Sequence, residues 1–307
     1  MNRIVQIQNG ANPRVALVEE PHLRLITGVT SVYDLAVIAD SQNTSRLKLV
    51  RDSATDERLD YSAMYDGKSP WKLLAPIDHP QEPARCLISG TGLTHLGSAK
   101  NRQAMHSASE AELNDSMKIF KWGVEGGKPA PGKIGIAPEW FYKGTGGMLR
   151  GPGESLDVPS HAEDGGEEAE IAGVYFVAAN GIPRRIGMAI GNELSDHKFE
   201  KRNYLNLAGS KLRSCSLGPE LVVGADFKAI TGEVRIERDG KTLWQKAIET
   251  GEENMCHSLA NMEHHHFKFE GHRQPGDLHV HFFGAHSLSF GDGVELKDGD
   301  WTEVRFD

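Results

Sequence analysis

A chain of 307 residues is long enough for one large domain, or a large one and a small one, with a substantial core. Its formal net charge of −9 argues against a nucleic-acid partner, because phosphate binding needs a basic surface. No apolar run approaches the roughly 20 residues of a membrane span, and 38% hydrophobic with 25% charged residues is an ordinary soluble composition. The start, MNRIVQIQNGANPRVALVEE, lacks the apolar stretch of a signal peptide. Cys86, Cys215 and Cys256 are odd in number and widely spaced. They fit neither a zinc pattern nor a disulfide framework, and read as reduced buried thiols of a cytoplasmic protein.

Residues 1–80 read as a small α/β accessory domain. Arg3–Gln8 and Arg14–Glu19 alternate like a hairpin about Asn9-Gly10, and His22–Ile26 adds a strand. Thr30 or Ser31 caps a helix with Val32, Leu35 and Ile38 on its apolar face. WKLLAPI, Trp71–Ile77, closes the unit.

Residues 85–307 read as a mostly β, barrel-like C-terminal domain of short strands between Gly-Pro and Asp-Gly turns. Cys86–Ser89 is a strand leading to His95. Ser109 and Glu112 form a capping box before a helix through Leu113, Met117 and Phe120. The Gly-Pro-rich segment 126–135 is a loop and a candidate lid. Glu139 and Lys143 sit on alternating positions of a strand end.

The run from Asp164 to Glu170 passes straight into the apolar strand Ile171–Phe176. Residues two apart on a strand face the same way, so Glu168 and Glu170 project into one space and Glu167 points away. Two carboxylates that close repel unless one is protonated or a cation sits between them. Mg²⁺ or Mn²⁺ suits oxygen ligands. Glu193, after the apolar run 186–190, supplies a third oxygen, and Lys211 follows 18 residues later in a polar stretch. Asn192 fixes the turn, and the short segment Asp196–Arg202 offers Arg and His side chains without choosing one. The histidine-rich stretch Ser258–His266 lacks zinc spacing and reads as a polar segment beside the barrel. His279 and His281 share a strand face, Asp239-Gly240 turns a hairpin, and Trp301–Phe306 is the last strand.

The ordered motifs PE-x-F-x-K, GPG, E-x-E before a hydrophobic strand, GNELSD, SK and C-x-x-GP resemble the fumarylacetoacetate hydrolase superfamily over residues 85–307. Within it they look most like the 2-keto-3-deoxy-sugar-acid dehydratases and a branch associated with sugar-uptake operons. The resemblance implies an α+β fold: a mixed β-roll or barrel in a homodimer, with the small N-terminal α/β domain. It implies Glu168, Glu170 and Glu193 as ligands of Mg²⁺ or Mn²⁺, with Glu193 where the family usually has Asp. Lys211 and Glu139 are implied as the catalytic pair, with interchangeable roles. Lys143 matches a lysine near the family's substrate pocket. His95 matches the histidine of a hydrolase His/Glu pair, but Ser98 stands where the Glu belongs. His286 or Ser287 replaces a Gly-Thr pattern that binds the substrate carboxylate. The implied activity is metal-dependent dehydration of a pentonate-like 2-keto-3-deoxy sugar acid, through an enolate, to a semialdehyde. Alternatives are a C–C hydrolase of diketo acids, a related decarboxylase or isomerase, and a non-catalytic sensor of sugar acids.

Overall fold

The N-terminal hairpin forms where the alternation predicts it. In a computed structural model, which describes residues 2–100 and 115–307, β1 (Asn2–Asn9) pairs antiparallel with β2 (Asn12–Glu19), and Gly10 takes φ +58° in the turn. β3 (His22–Ile26) extends the pair. Ser31 starts α1 (Val32–Ser41): its Oγ accepts from Asp34 N at 3.0 Å, and Asp34 Oδ2 accepts from Ser31 N at 3.1 Å. This reciprocal cap satisfies two otherwise orphaned donors. Val32 and Leu35 are buried, with Ile38 packed partly against them. α2 (Arg46–Asp52), β4 (Ala54–Asp60) and α3 (Tyr61–Tyr65) follow. β4 carries a mostly charged, exposed sequence and lies at the sheet edge, so it gave no apolar alternation to read. β5 (Lys72–Leu73) returns to pair with β1.

The second part of the chain contributes β6 (Cys86–Gly92), α4 (Asp115–Gly126), β7 (Glu139–Thr145), β8 (Leu149–Arg150), β9 (Ala169–Val177) and β10 (Pro183–Asn192). Then come α5 (His197–Arg202), α6 (Leu207–Ser210), β11 (Cys215–Leu217) and β12 (Glu220–Val223). β13 (Ile230–Arg238), β14 (Lys241–Thr250), α7 (Leu259–Phe267), β15 (Leu278–Phe282) and β16 (Trp301–Phe306) complete it. The capping box at Ser109 and Glu112, with Leu113, lies outside the described residues; Met117 and Phe120 sit partly buried on α4.

One large mixed sheet runs in the order β4-β3-β2-β1-β12-β10-β9-β15-β6-β7, and β13, β14 and β16 form a separate small sheet. Among the described residues the large sheet is open, in a sheet-dominated α+β fold of the class the resemblance implies. β1 joins the N-terminal strands to β12, and one apolar cluster runs from Ile4 and Leu35 to Val174 and Phe282. This continuous core is the platform on which β9 and β10 hold their charged residues.

On the other face of β6 and β15, α7 covers a layer of histidines. His266 Nε2 lies 2.9 Å from His279 Nδ1, and His281 contacts Ser89 Oγ at 2.8 Å and Thr91 Oγ1 at 2.7 Å. Among the described residues, no set of histidine and cysteine ligand atoms converges here for a metal. Burial, reinforced by neighbouring imidazoles, pushes His279 and His281 each down to about 3 from 6.5. Neutral rings held this way contribute stability above pH 6.5 that is lost as pH falls toward the folded value. An NMR titration should show the ring resonances of His279 and His281 unshifted between pH 8 and 5; titration near pH 6.5 would show that the layer is open to water.

Candidate metal centre

Strand pairing builds the acidic site. Glu168 directly precedes β9 and Glu170 lies on it, while β10 runs antiparallel with Asn192 opposite Ala169. The Glu193 amide then donates to the Glu168 carbonyl at 2.9 Å, placing Glu193 beside the pair. Asn192 Oδ1 accepts from the amides of Glu168 at 3.1 Å and Leu194 at 3.3 Å, which fixes the turn where Leu194 takes φ +42°. The three carboxylates offer oxygens within 4.8 Å of one another. Glu168, Glu170 and Glu193 are only 7%, 1% and 0% exposed.

Two lysines meet this charge, on different oxygens of Glu193. Lys211, at the C-terminal end of α6, donates to Glu168 Oε1 at 2.6 Å, to Ser195 Oγ at 2.7 Å and to Glu193 Oε2. Lys143 Nζ lies 2.6 Å from Glu193 Oε1 and donates to the carbonyls of Leu194 at 2.7 Å and Lys211 at 3.0 Å. Lys143 thus spends two of its donors on the backbone around Glu193 and pairs its charge with that carboxylate. The resemblance implies Lys143 near the substrate pocket; in the structure it is fully buried and paired with Glu193.

The charges divide unequally. Burial raises the Glu170 pKa well above the usual carboxylate range, and the charges of Glu168 and Glu193 add to it. Burial also raises Glu193, against the pull of Lys143 and Lys211. Burial would raise Glu168 too, but Lys211 and His197 overcome it and hold that carboxyl well below its ordinary value. Glu170 Oε2 accepts from the Gly284 amide at 2.7 Å, while its Oε1 is buried with no hydrogen-bond partner among the described residues. A buried carboxylate oxygen without a partner is costly. A hard divalent cation satisfies it, and an all-carboxylate donor set suits Mg²⁺ or Mn²⁺. The residues present fit such an ion.

β7 supplies a second row. Glu139, Phe141 and Lys143 share its buried face while Trp140 and Tyr142 face out. Lys211 Nζ lies 4.6 Å from the centre of the Phe141 ring, so Glu139 and Lys211 belong to one neighbourhood. Glu139 Oε2 accepts from Tyr204 Oη at 2.9 Å. Opposite it, Gly92 has no side chain, and a Cβ there would come within 2.0 Å of Glu139 Oε1. Gly92→Ala should therefore displace the carboxylate, and a shift of about 1 Å in a catalytic group can cost on the order of 100-fold in rate. Steady-state assays beside an unchanged circular-dichroism spectrum would test this.

The remaining sequence-derived residues lie behind Gly284. Thr94 Oγ1 donates to the Phe283 carbonyl at 2.7 Å, and His95 bridges Thr94 at 2.9 Å and Thr250 at 3.2 Å, both ring nitrogens engaged. His286 is half-buried, with Nδ1 2.8 Å from Ser287 Oγ and its ring 5.9 Å from that of His95. These residues back the segment that touches Glu170, and the structure shows none of them in contact with the carboxylate cage. Glu167 faces away, accepting from the Ser289 amide at 2.7 Å. Sequence reasoning did not single out Tyr204 or Ser195, and left Asp196–Arg202 undecided. The structure selects His197 there, with Nε2 3.0 Å from Glu168 Oε1. Burial lowers the His197 pKa, but Glu168 and Glu200 together raise it above the ordinary value.

No family model matches this chain, and no curated protein matches it in sequence. Solved structures match it over nearly its whole length. A 2-keto-3-deoxy-D-arabinonate dehydratase complexed with magnesium and 2,5-dioxopentanoate is 18% identical, covers 99% of this chain and 95% of its own, and superposes with a TM-score of 0.71. A fumarylacetoacetate hydrolase from the psychrophilic Exiguobacterium antarcticum is 16% identical over 100% of this chain and 96% of its own, with a TM-score of 0.61. A 5-carboxymethyl-2-hydroxymuconate delta-isomerase from Mycobacterium smegmatis is 16% identical over 99% and 95%, with a TM-score of 0.56. Over nearly its whole length, the chain thus shares the fold of these solved structures.

Proposed function

We propose that this protein is a divalent-metal-dependent lyase that dehydrates a 2-keto-3-deoxy sugar acid, pentonate-like in length, to a semialdehyde. The observation that carries the reading is the convergence of Glu168, Glu170 and Glu193 around Lys211, with Glu139 on the adjoining strand face. The dehydratase of similar fold, bound to magnesium and 2,5-dioxopentanoate, supports the same substrate class. Glu168, Glu170 and Glu193 would hold the ion. When bound, it supplies Lewis-acid polarisation of a 2-oxo acid's carbonyl, which acidifies the hydrogens on C3.

This chain's own groups then divide the proton transfers. Lys211 stands at the carboxylates and so meets the C2–C3 end of the substrate. It is an ammonium while it donates to Glu168, Glu193 and Ser195. Once a cation shares those carboxylates, Lys211 would release one proton to solvent and, as the neutral amine, take the C3 proton. Glu139 lies one pleat beyond Phe141 along β7, about 7 Å away by strand geometry, and protonates the hydroxyl leaving C4. Tyr204 holds the Glu139 carboxylate in place. The C3 proton and the C4 hydroxide depart as water, leaving a 5-hydroxy-2-oxo-3-ene acid. Loss of a C5 proton and protonation of C3 then give the C4–C5 enol, which tautomerises to the 2-oxo aldehyde. A hydrolase needs a positioned base for water. His95, the sequence candidate, has both nitrogens in internal hydrogen bonds and is held by burial at about 3. That observation favours the lyase.

The test is purified protein with Mg²⁺ against a panel of 2-keto-3-deoxy pentonates and hexonates, followed by mass spectrometry. A dehydratase yields an aldehyde with carbon number conserved and one water lost. Two acids would mean a hydrolase, CO₂ a decarboxylase, and a thermal shift without product a sensor.

A further inference from the structure

We propose that His197 is a positioning residue for Glu168: its Nε2–H holds Oε1 and thereby turns Oε2 toward the cation. This inference rests on the reading of the three glutamates as a cation site. Among the described residues, both hydrogen bonds to the Glu168 carboxylate fall on one oxygen. Oε1 accepts from Lys211 Nζ at 2.6 Å and lies 3.0 Å from His197 Nε2. A carboxylate only accepts, so His197 Nε2 carries the hydrogen. Oε2 is left as the atom for an ion.

The ring is held on several sides. His197 is fully buried and opens α5, whose first turn is capped by Asp196 Oδ1 accepting from Phe199 N at 2.9 Å. Asp196 Oδ2 accepts from the Glu163 amide at 2.9 Å and from Arg213 at 3.3 Å, which ties α5 to the neighbouring loop. The Phe290 ring lies 5.3 Å from the imidazole. Gly166 passes directly beneath it, where a Cβ would stand 2.1 Å from Nδ1. Gly166 is itself pinned by reciprocal backbone bonds with Ser195, 2.8 and 2.9 Å long. Packing thus confines the imidazole, and its one hydrogen bond among the described residues ends on Glu168.

Hydrogen bonds of this kind fix a ligand's rotamer, and losing one typically weakens metal affinity about 10–100-fold. The test compares the full-length wild type with His197→Gln, His197→Asn and His197→Leu, measuring Mn²⁺ affinity by electron paramagnetic resonance and Mg²⁺ by competition. Gln places an amide N–H near the position of Nε2, whereas Asn is too short and Leu has no donor. Mn²⁺ binding should weaken about 10–100-fold in the Asn and Leu variants and stay within a few-fold in the Gln variant. Activity measured alongside should show the loss in the metal activation constant, with kcat at saturating metal largely kept. Circular-dichroism melting confirms that each variant is folded. Folded Asn and Leu variants with wild-type affinity would overturn the role of His197, as would a Gln variant as defective as Leu. A wild type that binds no Mn²⁺ would instead remove the cation site itself.

Discussion

Lys211→Met is expected to lower turnover by about 10²–10⁴-fold, the usual contribution of a positioned acid or base, while cation binding survives. The structure adds a sharper expectation. Lys211 is almost wholly buried and bonds Glu168, Glu193 and Ser195. Removing one partner from a buried ionic cluster typically costs about 3–5 kcal/mol, because the other charges stay uncompensated. In EDTA the variant should melt well below the wild type. Mg²⁺ brings the missing positive charge, so its stabilising effect should be larger in the variant than in the wild type. Differential scanning fluorimetry with and without Mg²⁺, beside steady-state kinetics, reads both quantities. Turnover near the wild-type level would exclude Lys211 from the proton transfers.

Glu170→Gln is expected to do the opposite to the metal-free protein. Burial first, then the charges of Glu168 and Glu193, raises the Glu170 pKa well above 4.5. A carboxyl whose folded pKa is raised contributes stability that is complete below its unfolded value and is lost as pH rises through the folded value. The neutral amide removes that dependence and keeps an acceptor for the Gly284 amide. In EDTA at neutral pH the variant should therefore be at least as stable as the wild type, with a flatter pH profile above pH 4.5. Its Mg²⁺-induced stabilisation and its activity should both disappear. A variant that still gains stability from Mg²⁺ would show that the ion does not need this carboxylate.

Much of the centre was legible because strand geometry is strict. An E-x-E pair entering an apolar strand has to share a face, and the Gly-Asn-Glu ending of the next strand returns beside it. The same period placed Glu139 with Lys143 on β7. What the sequence could not give was which partner each polar group takes. Nothing local reveals that Lys143 pairs with Glu193 and donates to two backbone carbonyls. His197 and Tyr204 lie on short helical turns without strong periodicity, and their contacts with Glu168 and Glu139 span 29 and 65 residues. The open sheet was hidden for a similar reason. Short strands and turns suit a barrel equally well, and only the pairing of β1 with β12 shows the N-terminal strands extending the sheet.

Crystals soaked in Mn²⁺ and measured for anomalous scattering test the central claim most directly. The account predicts one manganese peak per chain, touching an oxygen of each of Glu168, Glu170 and Glu193. A protein that binds manganese only elsewhere, such as at the layer of His266, His279 and His281, would contradict it. So would a cage that stays closed around Lys211 with no ion at saturating Mn²⁺.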